Sequence, residues 1–364
     1  MSAAESGRQP SPGTFFFDLT RRDLEQDLQP GFRATQLYEA VYKQGIEDPA
    51  AVTNLPKSLR TRLESRLDLR LPPLYRSFDA ADLTRRHLIR LADGELAEAV
   101  YIPDGNRNTF CVSSQIGCAL ACRFCLTGQL GFRRHLTAGE IVAQVLVARK
   151  ADIADPGLRD HFNLVLMGMG EPLHNYDNVM KALEILHDPA GLGMSMSRIT
   201  LSTVGLVPEL GRLAGEPLIP NLAVSLTGAT EATRDRLMPV NQIYPIRDLV
   251  ACLQRFPLGP RRRLTLEYVL LHGVTDSADE ARALARIARS IPARVNLIPL
   301  NESPDLPFRR PPDRAIRGFQ EILRERGVPA FIRKSRGDDI SAACGQLKKT
   351  WAEPEIDLAS LGHR

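Results

Sequence analysis

The sequence predicts an α/β protein whose main domain is a partial (β/α)6, TIM-like barrel, preceded by a small helical domain and a β-hairpin extension. Apolar, β-branched runs alternate with helical patterns from residue 108 onward, which is typical of a parallel sheet covered by helices. The chain has 364 residues, of which 43% are hydrophobic and 25% charged, so it is long enough to bury a large core. A net charge of only +4 excludes a histone-like nucleic-acid binder but leaves a local basic face open.

The first 107 residues divide into three predicted parts. Residues 1–12 form a polar tail, and 13–75 a small helical domain in which Leu37 and Val41 recur at helical spacing. This domain either docks RNA or is a packing appendage. Residues 76–107 predict a hairpin that turns at 92–94. Because no apolar run approaches the roughly 20 residues of a membrane span, and no leader is visible, we expect a cytoplasmic protein.

Residues 108–350 predict the barrel and an active-site loop at its C-terminal end, followed by a tail over 351–364. Capping boxes begin two of the helices, at Thr137 with Glu140 and at Ser277 with Glu280. Chemistry in such barrels lies at the C-terminal ends of the strands, so candidate residues should follow strands. The strand-like runs are 109–114, 162–168, 198–203, 221–226, 264–271, 294–300 and 330–335.

Three cysteines after the first barrel strand form the most informative motif. Cys118, Cys122 and Cys125 have the spacing C-x3-C-x2-C. Cysteine thiolates hold iron–sulfur clusters, normally four at a time, so three leave one iron open to a ligand. Structural zinc with His135 as fourth ligand is the alternative, although this spacing is unlike the paired C-x2-C of zinc sites.

The triplet at the start of a βα barrel resembles the radical S-adenosylmethionine (SAM) superfamily. Longer segments, among them FCVSSQIGCALACRFCLTGQLGF, VLMGMGEPLHNYDNV and RGDDISAACGQL, resemble the bacterial enzymes that methylate adenine C2 in 23S rRNA and tRNA. The resemblance covers residues 30–350. It implies a [4Fe-4S] cluster on Cys118, Cys122 and Cys125, two SAM molecules per turnover, an electron donor such as flavodoxin, and a monomer.

The resemblance also implies two further catalytic cysteines. Adenine C2 is electron-poor and does not attack the SAM methyl, so the family uses a radical route. One SAM methylates a cysteine, which matches Cys344, and a second SAM generates the radical that activates the S-methyl carbon for addition to C2. A second cysteine, which matches Cys111, resolves the protein–RNA adduct and leaves a disulfide. From the residues alone, a buried strand cysteine is the preferred interpretation of Cys111, and Cys252 is interpreted as a core residue.

The remaining site residues are carried over from the same family. Glu98 matches a proton acceptor, although a solvated strand carboxylate is the ordinary alternative. Glu171, in GMGEP, could bind the SAM ammonium, and the glycines could let the backbone approach SAM closely. Thr227 stands where many family members have histidine. The full set expected to bind SAM is Gly170, Glu171, Ser202, Ser225, Leu226, Thr227 and Asn301.

RNA contact must come from basic surface, for which five arginine-rich sites are candidates. Each reads alternatively as a solvated face. The competing functions are a C8-adenine rRNA methyltransferase that confers antibiotic resistance and a non-enzymatic, metal-containing RNA-binding protein. The basic candidates are Arg85 with Arg86, Arg133 with Arg134, Arg261 to Arg263, Arg309 with Arg310, and Arg333 with Lys334.

Overall fold

A computed structural model of the chain describes residues 13–105, 108–152, 162–259, 264–343 and 345–347. The predicted tails over 1–12 and 351–364, residues 261–263 and Cys344 lie outside the described residues. Within the described ranges, no helix is long and apolar enough to cross a membrane.

The N-terminal helical domain is built around a cluster of aromatic rings. Phe16 packs against Tyr38 and Tyr42, with ring centroids 5.6 and 5.7 Å apart, and the Tyr38 hydroxyl donates to the carbonyl of Leu19 at 2.7 Å. The helical pattern through Leu37 and Val41 is therefore confirmed. A short parallel pair, β1 (Thr14–Phe15) and β2 (Leu67–Asp68), joins the ends of this domain. Its helices are α1 (Arg21–Asp27), α2 (Phe32–Tyr42) and α3 (Lys57–Glu64).

One ten-stranded sheet runs through the rest of the described chain. Its order is β14-β13-β12-β11-β10-β9-β6-β5-β4-β3, parallel from β14 to β6 and antiparallel from β6 to β3. The strands are β3 (Leu74–Asp79), β4 (Arg85–Arg90), β5 (Leu96–Ile102), β6 (Thr109–Cys111), β9 (Asn163–Leu166), β10 (Ile199–Thr203), β11 (Asn221–Ser225), β12 (Leu264–Leu270), β13 (Ala293–Pro299) and β14 (Ala330–Ile332). A separate antiparallel pair consists of β7 (Gln115–Gly117) and β8 (Phe132–His135).

The sheet is not closed, since β3 and β14 form its two edges, which confirms the predicted partial barrel. One feature differs from the predicted layout. The hairpin β4–β5 pairs with β6 and gains a third strand, β3, so it continues the barrel sheet. All seven predicted barrel strands are confirmed, but most end one to three residues early because the following residues turn to form the site.

Helices connect the parallel strands, as predicted. The capping box at Thr137 and Glu140 is complete, with both backbone-to-side-chain bonds formed. The one at Ser277 is only half formed, because the Glu280 carboxylate instead accepts bonds from the Ala229 amide and the Tyr268 hydroxyl, both at 2.7 Å. The helices are α4 (Leu126–Gln129), α5 (Ala138–Asp152), α6 (Tyr176–His187), α7 (Val207–Leu213), α8 (Glu231–Leu237), α9 (Ile246–Gln254), α10 (Ala278–Ser290) and α11 (Asp313–Glu325).

Candidate active site

The C-terminal ends of the parallel strands surround a cavity of about 250 Å³. Eight of the residues expected from the sequence line it, and all but Cys125, which precedes α4, lie at or shortly after the C-terminal end of a strand. These residues are Cys111, Cys125, Gly170, Glu171, Ser202, Ser225, Thr227 and Asn301. Four expected residues are not part of the lining: Cys118, Cys122, Leu226 and Glu98.

The cysteine triplet lies in the connection between β7 and β8. Gly117 has a φ of +75°, and a Cβ there would lie 1.9 Å from the carbonyl oxygen of Gly131, so only glycine fits. The amide of Cys118 donates to that same carbonyl at 3.0 Å. The two ends of the cysteine loop are thereby held together, and α4 begins directly after Cys125.

The three thiols of the loop are largely shielded from water. Burial raises the pKa of Cys118 to about 12 and that of Cys122 further, and the neighbouring thiols add to both effects. In the part of the chain that is described, no three His, Cys, Asp or Glu side chains converge on a point that could hold one metal ion. A cluster needs no such convergence, because each cysteine binds a different iron.

The zinc alternative loses its fourth ligand. His135 Nδ1 lies 3.1 Å from Nε2 of Gln115, and the His135 ring packs against those of Phe132 and His174. The cysteine loop instead packs against α8, where the Arg123 amide donates to the Leu237 carbonyl at 2.9 Å. The three cysteines therefore fit a [4Fe-4S] cluster with one iron open.

Glu171 is a buried carboxylate at the edge of the cavity. Its two oxygens accept from the amides of Leu173 (3.0 Å) and Val204 (2.9 Å), which fixes its orientation. Burial raises its pKa to about 7, partly offset by these bonds and by Thr203. A cation beside Glu171 would favour its ionised form.

The glycines of GMGEP are required for a reason other than the expected close approach of SAM. A Cβ at Gly168 would lie 2.7 Å from Ser113 and Val112, and one at Gly170 would lie 2.5 Å from the side chain of Gln115. Both glycines are therefore required by close packing within the protein. Gly170 still borders the cavity, with a φ of +98°.

A buried arginine supports the ends of β10 and β11. Arg234 is fully buried and donates to the carbonyls of Val204 (2.7 Å) and Leu226 (2.6 Å), as well as to Ser225. Burial lowers the pKa of Arg234 to about 10. The Leu226 side chain lies in the main core, so only its backbone is available to a ligand near the cavity. Sequence reasoning missed Arg234, which reads as an ordinary helix-surface residue.

The opposite wall carries polar groups that the sequence only partly revealed. Thr227 Oγ1 accepts from the Val269 amide at 3.2 Å, and Asn301 Oδ1 accepts from the Ser335 hydroxyl at 2.6 Å. Glu267, which sequence reasoning missed, is buried in β12 and takes a hydrogen bond from Asn296 at 2.9 Å. The sequence signal that could have identified Glu267 was an acidic residue within the otherwise apolar run LTLEYVLL. A cationic rim completes this wall: Arg333, Lys334 and Arg336.

Two of the three cysteines outside the triplet are described. Cys111 ends β6, is buried and lines the cavity, where it packs in one cluster with Ala342 and Leu347. Cys252 is partly buried against the main core, away from the cavity, as expected.

The described residues of the C-terminal segment, 336–343 and 345–347, include five that line the cavity, and together they are called segment 336–347 below. Ala343 and Gly345 line the cavity, on either side of Cys344 in the chain. The amide of Leu126 donates to the Gly345 carbonyl at 2.8 Å, and the Thr127 hydroxyl donates to the Leu347 carbonyl at 3.1 Å. Segment 336–347 is thus bonded directly to the helix that follows Cys125.

The hairpin side of the sheet holds the other end of this segment. Arg86 Nη1 donates to the Ser341 carbonyl at 3.0 Å, and the Ala81 amide donates to the Asp339 carboxylate at 2.9 Å. The prediction that Arg86 faces RNA is therefore wrong, whereas the Arg85 side chain remains 30% exposed. Arg86 is buried, and Arg85 bonds to the buried Asp152 at 2.9 Å.

Other basic candidates are also engaged. Arg134 makes ion pairs with Asp93 (2.6 Å) and Glu140 (2.7 Å), and Arg310 pairs with Asp313 at 2.8 Å. Arg333 and Lys334 border the cavity, so they are the pair best placed to meet a substrate there.

Glu98 is buried, so the solvated-carboxylate alternative is wrong. Both of its oxygens lack a hydrogen-bond partner among the described residues, and Arg86 Nη1 lies 3.9 Å away. Burial raises the pKa of Glu98 to about 8, and the charge of Arg86 opposes this increase. Glu98 shares a face of β5 with Ile102, which lines the cavity, because side chains two apart on a strand point the same way.

Comparisons with known proteins agree with this geometry. The radical SAM superfamily model matches residues 112–285, and the model of the ribosomal RNA large subunit methyltransferase N-terminal domain matches residues 16–69. The crystal structure of a radical SAM methyltransferase from Sphaerobacter thermophilus superposes with a TM-score of 0.85 at 46% identity, covering 92% of this chain and 98% of that one. The fold and the cysteine loop are those of a radical SAM protein.

Sequence relatives narrow the class. The dual-specificity RNA methyltransferase RlmN of Syntrophobacter fumaroxidans is 44% identical over 91% of this chain and 96% of its own length. That of Paracoccus denitrificans is 45% identical over 91% of this chain and 88% of its own. The chain belongs to the RlmN family of radical SAM methyltransferases.

Proposed function

We propose that this protein methylates C2 of specific adenosines in 23S rRNA and tRNA, with a methylated cysteine as carrier. The main support for this proposal is that the cysteine loop and segment 336–347 both line one cavity. The two are joined by the hydrogen bond from the Leu126 amide to the Gly345 carbonyl. The dual-specificity names of the relatives support RNA as substrate and favour this reaction over the C8 and non-enzymatic alternatives.

Cys118, Cys122 and Cys125 would hold the [4Fe-4S] cluster. When bound, the cluster supplies the electron that splits SAM, delivered by a donor such as flavodoxin. The buried position of Cys122 keeps water from this centre, while Cys125 borders the cavity where SAM would meet the open iron. The role of the loop would be to bind three irons of the cluster and leave the fourth without a protein ligand.

Glu171 would hold the SAM ammonium. Each of its oxygens accepts one backbone amide and Thr203 also donates to the carboxylate, which leaves one lone pair for the ammonium. Ser202, Ser225 and Asn301 supply hydroxyl and amide groups along the same rim for the ribose and adenine, with Gly170 beside them, whereas Leu226 does not line the cavity. Thr227 replaces the family histidine with a neutral hydroxyl that remains able to donate, since its oxygen accepts from Val269.

Cys344 would carry the methyl carbon, and Cys111 would release the product by forming a disulfide with Cys344. Supporting this, Cys111 packs against residues of segment 336–347 and lines the same cavity. Glu98, whose pKa burial raises to about 8, would accept a proton in its ionised form. Because it lies behind the cavity lining on the face of β5 that ends at Ile102, the proton would reach it through an intervening group.

The test is product mapping with a matched pair of variants. The anaerobically reconstituted protein is incubated with a reductant, methyl-labelled SAM and transcripts of 23S rRNA or tRNA, and nucleosides are identified by mass spectrometry. We expect labelled 2-methyladenosine from the wild type and Cys252→Ala, and none from Cys122→Ala. An 8-methyladenosine product, or no methylation by a protein with a full cluster, contradicts the proposal.

A further inference from the structure

Three aromatic side chains form an exposed cluster beside the cavity, here called the aromatic platform: Phe132, His135 and His174. The Phe132 ring lies 5.0 Å from that of His135 and 5.5 Å from that of His174, and Phe132 is 40% exposed. None of the three lines the cavity. We propose that the aromatic platform stacks an unpaired nucleobase of the RNA that flanks the target adenosine, an inference that rests on the proposed function.

Gln115 holds the two histidine rings beside Phe132. Its Oε1 accepts from the Glu171 amide at 2.8 Å, which leaves the Nε2 amide to face the rings. Nε2 lies 3.1 Å from Nδ1 of both His135 and His174. The amide nitrogen only donates, so one side chain bonds to Nδ1 of both rings and fixes their orientation. Aromatic rings fixed in this way can stack on bases.

The platform is rigidly continuous with the proposed substrate site. Gln115 packs directly against Gly170, which lines the cavity. Phe132 begins β8 directly after Gly131, whose carbonyl holds the Cys118 amide. A base placed on the platform would therefore have a fixed position relative to the cysteine loop.

An RNA base fits this surface better than the adenine of SAM. The SAM site must lie within the cavity, whereas the platform lies outside its lining. An adenosine that enters the cavity must leave its stack, which unstacks its neighbours and exposes their faces. Single-stranded bases bind proteins mainly by stacking on aromatic side chains, independent of sequence. Such a surface would suit an enzyme with more than one RNA substrate.

The test uses cluster-loaded protein and a tRNA transcript in which 2-aminopurine replaces single nucleotides on either side of the target. Stacking quenches 2-aminopurine fluorescence. In the wild type we expect the fluorescence to be quenched at one flanking nucleotide. Phe132→Leu should restore this fluorescence and bind RNA about 10-fold more weakly, whereas Phe132→Tyr should keep the quenching. Phe331→Leu, which changes a phenylalanine that is 51% exposed on edge strand β14, is the matched control.

The outcomes separate this inference from the proposed function. A wild-type protein that methylates RNA but quenches no flanking 2-aminopurine overturns the platform and leaves the function standing. Unchanged RNA affinity in Phe132→Leu also overturns it, as does loss of SAM affinity or iron in Phe132→Tyr. If the loaded wild type neither binds nor methylates either RNA, the proposed function itself fails.

Discussion

Replacing Glu98 by glutamine should change how the stability of the protein depends on pH. In the folded chain, burial raises the pKa of Glu98 from its ordinary 4.5 to about 8. This difference corresponds to about 5 kcal/mol in favour of the protonated carboxyl, as an upper bound. Arg86, 3.9 Å away, opposes part of the burial effect.

The sign follows from where the proton resides. Between pH 4.5 and about 8 the folded protein keeps a proton that the unfolded chain has lost. The free energy of unfolding therefore falls as the pH rises through this window, by up to about 1.4 kcal/mol per pH unit. Glu171 contributes in the same direction up to about pH 7. Glutamine at position 98 removes one of these two contributions.

The assay is anaerobic urea unfolding of wild type and Glu98→Gln from pH 5 to pH 8. We expect the variant to gain stability relative to wild type by a few kcal/mol across this range, less at pH 5 than at pH 8. Glu325→Gln, at an exposed helix end, is the control and should leave the pH dependence unchanged. A difference between wild type and Glu98→Gln that is constant with pH would refute the assigned burial effect.

Three further changes test other parts of the site. Cys111→Ala should accumulate a covalent enzyme–RNA adduct on denaturing gels, and normal turnover would remove its resolving role. Gly117→Ala should lose iron, because the added Cβ meets the Gly131 carbonyl. Gly131→Ala is the control, since Gly131 also has a positive φ of +72° but its Cβ would meet no atom within 4 Å, and it should keep the iron. Equal iron content in the two variants would contradict this expectation. Arg234→Met leaves the carbonyls after β10 and β11 unpaired and should lower unfolding free energy by about 3 kcal/mol, measured by urea unfolding, while a change below about 1 kcal/mol would contradict its supporting role.

The residues at the rim of the cavity were predictable because strand-like and helical patterns alternate regularly along the sequence. Once the strand-like runs are aligned as a parallel sheet, Ser202, Ser225 and Asn301 each lie at or just beyond the C-terminal end of a strand and must meet at one edge. Their convergence needs no knowledge of side-chain packing. The cysteine spacing similarly identifies its own chemistry, since three thiolates within eight residues leave few alternatives.

The buried charges were not predictable, because each depends on contacts between distant residues. Arg234 reads as solvent-facing, yet it bonds to carbonyls at the ends of β10 and β11 that are 8 to 30 residues away in sequence. Glu98 is buried by the register of β4 with β5, which places Leu88 opposite it and brings Arg86 within 3.9 Å. Glu280 leaves its predicted cap because Tyr268 and Ala229 offer better partners.

The most direct test of the central claim is the mass of the peptide that contains Cys344, taken from protein isolated from cells. We predict one added methyl group on that cysteine in the wild type and in Cys252→Ala. We predict none in Cys125→Ala, which should lack a complete cluster. An unmodified Cys344 in wild-type protein that carries its cluster and methylates RNA would contradict the account.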